Sequence, residues 1–545
     1  MQGRILAISF FALSPLFAVG SAYAQSTPPT PEEVLAGWGG ADARLDLNQD
    51  GVVNGADYAL VLSLWASMPS QIPTLQAGGG FTADTAEPPL QGLSTQAGYG
   101  SQAMARWNFV PCQTFNQPFN IGVVAFHAYG INRVEFSLNG GAWTAVAQTR
   151  QNPESGSVEY FVRVDPSVLA AGEAEVRAVI YPNVGRCRVL GGSLRDADAE
   201  RGEYGMFFSA DPAGTLPATQ RFVSPTGSDT AGDGSVTNPF KTIMKAAKAI
   251  ATANGGKADG GFINLLPGDH VFGTYSFSLL TTTDRRWLTI RPAPGISSDQ
   301  APIVAAANST GIAVPHVRFF DITFKPNGTS NTVIRTNTST TAPRFVWLDG
   351  CKLFGAGRTI SGDWYSGWQR VWATNNFVTN SMNGLSGELV RNCIVDVVGS
   401  DAFSGARLVV NSNVRKIDRT GTAFHPDFFQ LYAAAGTVLE NRIVYGCTMI
   451  EPSLTQGLFA GDGIAIKDIA FVDVVVRSDN TAGFMYAFQF GGPTSHMLVQ
   501  NCKINGPALW RTDFQFVAQD VVIRDSAFGS GLSPSPLNGV VVADQ

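Results

Sequence analysis

The chain has 545 residues, enough for several domains, with 44% hydrophobic residues to fill their cores. A formal net charge of -6 and a pI near 5.5 leave no basic footprint, which excludes nucleic acid as the expected partner. Only 15% of residues are charged while glycine is abundant (59), a balance that favours turn-rich β architecture over helical bundles.

Residues 1–24 read as a secretory signal. Arg4 gives a positive start, an apolar centre follows, and Ala22-Tyr23-Ala24 supplies the small-x-small cleavage site. The alternative is a retained membrane anchor; the short apolar run and Pro15 argue for cleavage. No later stretch is long and apolar enough to span a bilayer, so the mature chain is expected to be secreted or at the cell surface.

Residues 25–67 contain the most specific chemical motif. Asp46, Asn48 and Asp50 occupy positions 1, 3 and 5 of a twelve-residue loop. Gly51 makes the turn at 6, Val52 offers its carbonyl at 7, and Asn54 and Asp57 stand at 9 and 12. Oxygen ligands at that spacing wrap a hard cation, and calcium is the expected cofactor. The loop resembles one calcium repeat of a dockerin. A second loop is missing, and the resemblance implies a cohesin-like partner only as an open expectation.

Residues 68–99 are rich in Pro, Gly, Ser and Thr without a period and read as a linker. In residues 100–212, Val134, Phe136 and Leu138 alternate with polar neighbours, as do Val162 and Val164, and Ala174, Val176, Ala178 and Ile180. The pattern predicts a small antiparallel β-sandwich of immunoglobulin-like or fibronectin-like type. Cys112 and Cys187 flank it, either as a disulfide or as two separate thiols.

Residues 220–545 begin with a short strand, a turn cluster and an amphipathic helix, with Asn238 as N-cap and Pro239 at its first position. Short β segments then recur at roughly regular intervals. Cys351, Cys393, Cys447 and Cys502 each follow a polar residue or glycine, at intervals of 42, 54 and 55 residues, about two coils each. They read as stacked inward positions, because metal ligands would converge on one point. The run Phe222-Val223-Ser224-Pro225, then Asn238-Pro239-Phe240, then Leu266-Pro267-Gly268 resembles the start of secreted right-handed parallel β-helix proteins of the pectate-lyase-like superfamily. That resemblance implies a mainly β chain: a right-handed parallel β-helix with an N-terminal capping helix, behind the sandwich and the EF-hand-like repeat.

Asp401 and Asp427 stand 26 residues apart, one coil, so they are expected on neighbouring strands facing the same way. Two exposed carboxylates at that separation supply an acid and a base for glycoside hydrolysis, or share a calcium that assists β-elimination from a uronic acid. His425 completes this candidate catalytic set, and Lys416 and Arg419 lie within a coil of it; a structural role for His425 stays open. Trp364, Tyr365 and Trp368, beside Trp372, offer stacking platforms for sugar rings, or merely cover the solenoid flank. Gln430 and Gln456 belong to an expected ladder of stacked glutamines continued by Gln489 and Gln515. Asp462 and Lys467 loosely resemble a polygalacturonase-like element.

Two functions stay open. The first is a polysaccharide lyase or glycosidase acting on extracellular glycan. The second is a non-catalytic carbohydrate-binding or cell-surface structural protein. Burial of Asp401 or Asp427 favours the second; a cleft holding both beside the aromatic loop favours the first.

Overall fold

A computed structural model describes Val34, Gly40, Leu45, Val52 and Val53 of the N-terminal part, residues 72–80, 101–191 and 203–216, and, with gaps, 218–528 and 540–543. The chain divides into two compact units, Met1–Ile72 and Pro73–Gln545. The first contains the expected signal and calcium loop, of which only Val52 among the proposed ligands is described; it is exposed.

Alternation of apolar and polar residues builds two facing sheets at the start of the second unit. One has the order Met104–Trp107, Phe119–Phe126, Ser157–Val164, Arg150–Asn152, all antiparallel. The other runs Thr114–Phe115, Met206–Ala210, Gly172–Pro182, Ile131–Leu138, Thr144–Val146, with Arg188–Leu190 added on Gly172–Pro182. Met206–Ala210 pairs in parallel with Thr114–Phe115. Phe136, Leu138, Val162, Val176 and Ile180 fill the space between the sheets with no exposed surface.

Two details refine the sequence reading. Residues 73–80 are not a loose linker, because Leu75 N–H donates to Arg163 O and Gly78 N–H to Leu138 O, extending both sheets of the sandwich. Cys187 is a thiol, so no disulfide joins it to Cys112: Cys112 lines a recess beside Trp287, while Cys187 sits near Arg133 and Glu135.

From Gln220 onward the strands pair in parallel with those of the preceding and following coil, and the sheet order follows the chain with the strands of other sheets interleaved. Among the described residues this gives sheets of 14 and 11 strands and two shorter ones of 4 and 3 strands. The solenoid is therefore a parallel β-helix. Its interior is one continuous apolar core running from Val223 to Ile523.

The recurring residue before each cysteine has a backbone reason. Gly350, Asn392, Gly446 and Asn501 all have positive φ (68°, 55°, 64° and 49°), as do Asn375, Asn411 and Asp473 on the coils between. This left-handed corner turns the chain from the long sheet into the next, and Gly, Asn and Asp reach it at least cost. The side chain after the corner points inward. Cys351 N–H donates to Asn376 Oδ1, Cys393 N–H to Ser412 Oγ and Cys502 N–H to Ser526 Oγ, each one coil on. Cys351, Cys393, Cys447 and Cys502 all lie buried in the solenoid core.

The helix is shorter than its sequence pattern suggested, Ile243–Ala253, with Thr242 rather than Asn238 as N-cap. Phe240 is held as strand: its N–H donates to Phe222 O, and its carbonyl accepts from Ser224 N–H. Asp229 then accepts from Thr242 Oγ1 at 2.7 Å and from Thr242 N–H at 3.0 Å, fixing the cap. Gly227 is required here, since a Cβ would stand 2.4 Å from Phe240 O. Ile243, Ala246, Ala247 and Ile250 bury against Val223 and Ile263 in the first coils.

Candidate functional site

The register of Phe403 with Phe429 and Ser404 with Gln430 fixes a one-coil offset of 26 residues, so Asp401 stands beside Asp427 as its spacing implied. Ala402 N–H donates to Asp427 O at 2.9 Å, and Ser400 Oγ donates to Asp401 Oδ1 at 3.2 Å. The expected exposure is absent. Asp401 is 5% and Asp427 0% accessible, among Ala402, Phe403, Phe428 and Phe429. Burial, followed by the neighbouring Asp427 charge, raises the Asp401 carboxyl well above the usual carboxylate range. The pair thus sits buried in the wall of the solenoid, against its apolar core. Asp401 is followed by Ala402 and Phe403 and Asp427 by Phe428 and Phe429, so the sequence carried no alternation to show which way the carboxyls point.

The surrounding candidates separate. Lys416 belongs to the 11-stranded sheet, is exposed, and approaches Asp418 at 3.6 Å, on a different face from Asp427. His425, Arg419 and Asp462 lie outside the described residues. The glutamine ladder is corrected by the register: Gln430 opposes Phe459, which opposes Gln489, while Gln456 opposes Asp427 and Tyr486. The stagger between these coils is not the 26 residues that would stack Gln456 on Gln430, because coil lengths vary. Trp364 and Trp368 lie outside the described residues, Tyr365 belongs to the short strand Tyr365–Ser366, and Trp372 is buried at 1% exposure. Lys467 opposes Glu440 and Ser495 in the long sheet.

A recess that sequence reasoning missed lies between the sandwich and the first coils. It encloses about 210 Å³ and is lined by Trp287, Trp347, Phe262, Arg286, Arg318 and Asp211, with Cys112 and Thr114 at its sandwich side. Its aromatic rings are fixed by hydrogen bonds. Trp287 Nε1–H donates to Pro111 O at 2.6 Å, and Trp347 Nε1–H to Thr374 Oγ1 at 2.9 Å. Thr374 Oγ1 donates in turn to Asp349 Oδ1 at 2.9 Å, and Asp349 Oδ2 accepts from Arg318 Nη2 at 2.5 Å. The Arg318 guanidinium closes the ring by lying 3.9 Å over Trp347. Asp211 is held from the other side, accepting from Thr215 N–H at 2.8 Å.

The signal for this recess was present but scattered. Trp347 and Trp372 are register partners on successive coils, and the Trp287 ring lies 5.8 and 6.0 Å from theirs. Tryptophans repeating on the outward face of a solenoid mark a covered face. What covers it is the sandwich, whose Pro111 is 176 residues from Trp287.

The fold defined by these elements is a parallel β-helix carrying an antiparallel sandwich on its long sheet. No protein-family model matches the chain, and no curated protein matches it. Among solved structures it is similar to the catalytic unit of a thermostable GH87 alpha-1,3-glucanase from Streptomyces thermodiastaticus strain HF3-3. The identity is 14% and the TM-score 0.30, over 81% of this chain and 88% of that one. It is also similar to a rhamnogalacturonan lyase, at 11% identity and a TM-score of 0.23, over 57% of this chain and 75% of that one.

Proposed function

We propose that the chain is a secreted β-helix protein that engages extracellular polysaccharide, taking one sugar unit in the recess at Trp287 and Trp347. The observation that carries this reading is the composition of that recess: fixed indole edges, two guanidiniums and a carboxylate around about 210 Å³. A partly open recess of this size admits a sugar unit. Sugar recognition needs this pairing of apolar ring surface with a few convergent polar groups. The winding is read as right-handed, the hand that nearly all parallel crossovers take, with the helix Ile243–Ala253 covering the first coil.

Between the two functional classes, burial of Asp401 and Asp427 favours binding without catalysis at that pair. An enzyme, lyase or glycosidase, would need its acid and base elsewhere. Asp46, Asn48, Asp50, Val52, Asn54 and Asp57 are proposed to hold one calcium on the strength of their spacing, and a cohesin-like partner would dock on that module.

The test is calorimetric titration of the purified chain with a panel of neutral and acidic oligosaccharides, with reducing ends and unsaturated-product absorbance followed in parallel. Binding without product, weakened at least tenfold by Arg318→Gln and Trp287→Phe in folded variants, is the expected result. Binding unaffected by both substitutions would move the glycan site out of the recess. Product formation would move the protein into the enzyme class.

A further inference from the structure

Beside the recess at Trp287 the long sheet is open to solvent. Phe320 keeps 39% of its surface exposed, and Arg318, which lines the recess, lies 4.6 Å over its ring. Continuing the register of Ile290 with Phe319 places Arg291 next to Phe320, on the preceding coil. The Arg291 guanidinium in turn lies 4.4 Å over the ring of Phe262, which belongs to the wall of the same recess. Arg291 therefore stands at the rim, on a ring that a ligand in the recess would touch.

Arg291 is held in place but not satisfied. Its Nε–H donates to Asn264 Oδ1 at 2.9 Å, and Asn264 Nδ2 donates to Gln220 Oε1 at 3.1 Å. Asn264 is wholly buried and is the register partner of Arg291 on the coil before it, so the sheet itself fixes this anchor. The residue is half-buried, and its two Nη groups make no hydrogen bond among the described residues and are not shielded from water. Burial and the neighbouring charge of Arg318 both lower its pKa, and no carboxylate among the described residues pairs with it. Arg318 differs, because Asp349 Oδ2 accepts from its Nη2 at 2.5 Å. The other charged residues lining the recess, Arg286 and Asp211, are of opposite sign. Arg291 thus presents a two-pronged N–H edge to solvent with no anion of the protein to meet it. A guanidinium stacked on an aromatic ring and pinned through Nε is preorganised to receive an oxyanion at that edge.

We propose that the glycan engaged at this recess is anionic, and that Arg291 Nη1 and Nη2 receive a carboxylate or sulfate ester that it carries beside the unit bound at Trp287. The inference rests on the glycan reading of the recess, and adds to it the class of glycan and the residue that selects it. A neutral glycan leaves the Arg291 edge to water and gains nothing from it.

The experiment is calorimetric titration of the full chain, at about 50 mM sodium chloride, with two matched pairs of probes. One pair is oligogalacturonides and their methyl-esterified forms; the other is sulfated galactan oligosaccharides and their desulfated forms. The charged member of one pair should bind at least about tenfold more tightly than its neutral counterpart, and the pair that shows this distinguishes carboxylate from sulfate ester. Arg291→Gln should abolish the preference and leave binding of the neutral member within about twofold. Arg291→Lys, which keeps the charge without the fork, should retain only part of it. A preference that survives in Arg291→Gln overturns Arg291 as the receptor. Neutral members bound as tightly as charged ones, with binding weakened by Trp287→Phe, overturn the anionic class and leave the glycan reading of the recess standing. No binding of any of the four probes overturns that reading, and this inference with it.

Discussion

Asn441 and Ala105 exchange two hydrogen bonds across the junction of solenoid and sandwich: Ala105 N–H donates to Asn441 Oδ1, and Asn441 Nδ2 donates to Ala105 O, both at 2.9 Å. The carboxamide thus pairs with a strand residue as another strand would. Asn also suits the local backbone, whose φ is 56°.

Replacing Asn441 by Ala should leave a buried N–H and C=O unpaired and keep the left-handed strain, at a cost of roughly 3 kcal/mol. Asn441→Gly removes the strain but not the orphaned groups, and should fall between. Urea denaturation of the three proteins checks that order. Equal midpoints for Asn441→Ala and wild type would show that the junction does not depend on this exchange.

The thiols give a second expectation. Burial pushes Cys351, Cys447 and Cys502 up to about 12 and Cys393 up to about 11, far from the thiolate form. Cys187 is only half-buried. Titration with an aromatic disulfide reagent at pH 8 should find about one reactive thiol in the native chain and all 6 after unfolding. Four after unfolding would show that Cys112 and Cys187 are joined after all.

The Asn441–Ala105 exchange and the buried thiols show what the sequence could and could not carry. The cysteine ladder was legible because each coil repeats the same local rule, a left-handed corner followed by an inward residue. The glutamine ladder was not, because it needs the length of each coil, and the side chains linked one coil apart are 25, 17, 19 and 24 residues apart. The offset of Asp401 from Asp427 was legible as one coil, but their burial was not. Contacts such as Trp287 with Pro111 or Ala105 with Asn441 join distant stretches with no shared periodicity, so no local pattern announces them.

His127 should make the protein acid-sensitive. Tyr129 N–H donates to its Nδ1 at 3.2 Å, which leaves Nε2 to carry the proton toward Ser101 Oγ at 3.1 Å, so the ring is neutral. Burial, partly offset by Asp468 on the solenoid, pushes it down to about 4 from 6.5. The unfolded chain then binds more protons between those values, and stability falls as pH drops from about 6.5 to 4. The full contribution is on the order of 3 kcal/mol. His127→Gln should flatten that slope in Tm measured across pH 4–7; an unchanged slope would assign it to other groups.

The buried carboxyl pair should act in the opposite direction. Because Asp401 is raised in the folded chain by burial and by Asp427, the native state holds a proton that the unfolded state releases above about pH 4. Protons bound then favour the native state, and stability must fall as pH rises from about 4 toward the raised value. Asp401→Asn keeps the shape and removes the titration. It should match the wild type near pH 4 and exceed its Tm at pH 8, while the acid-side slope from His127 persists. On any glycan that the wild type cleaves, turnover should stay within about twofold, as expected for a pair enclosed in the wall of the solenoid. A wild-type Tm that does not fall relative to Asp401→Asn between pH 5 and 8 would show that Asp401 ionises freely. An orders-of-magnitude loss of turnover in a folded Asp401→Asn would return the pair to catalysis.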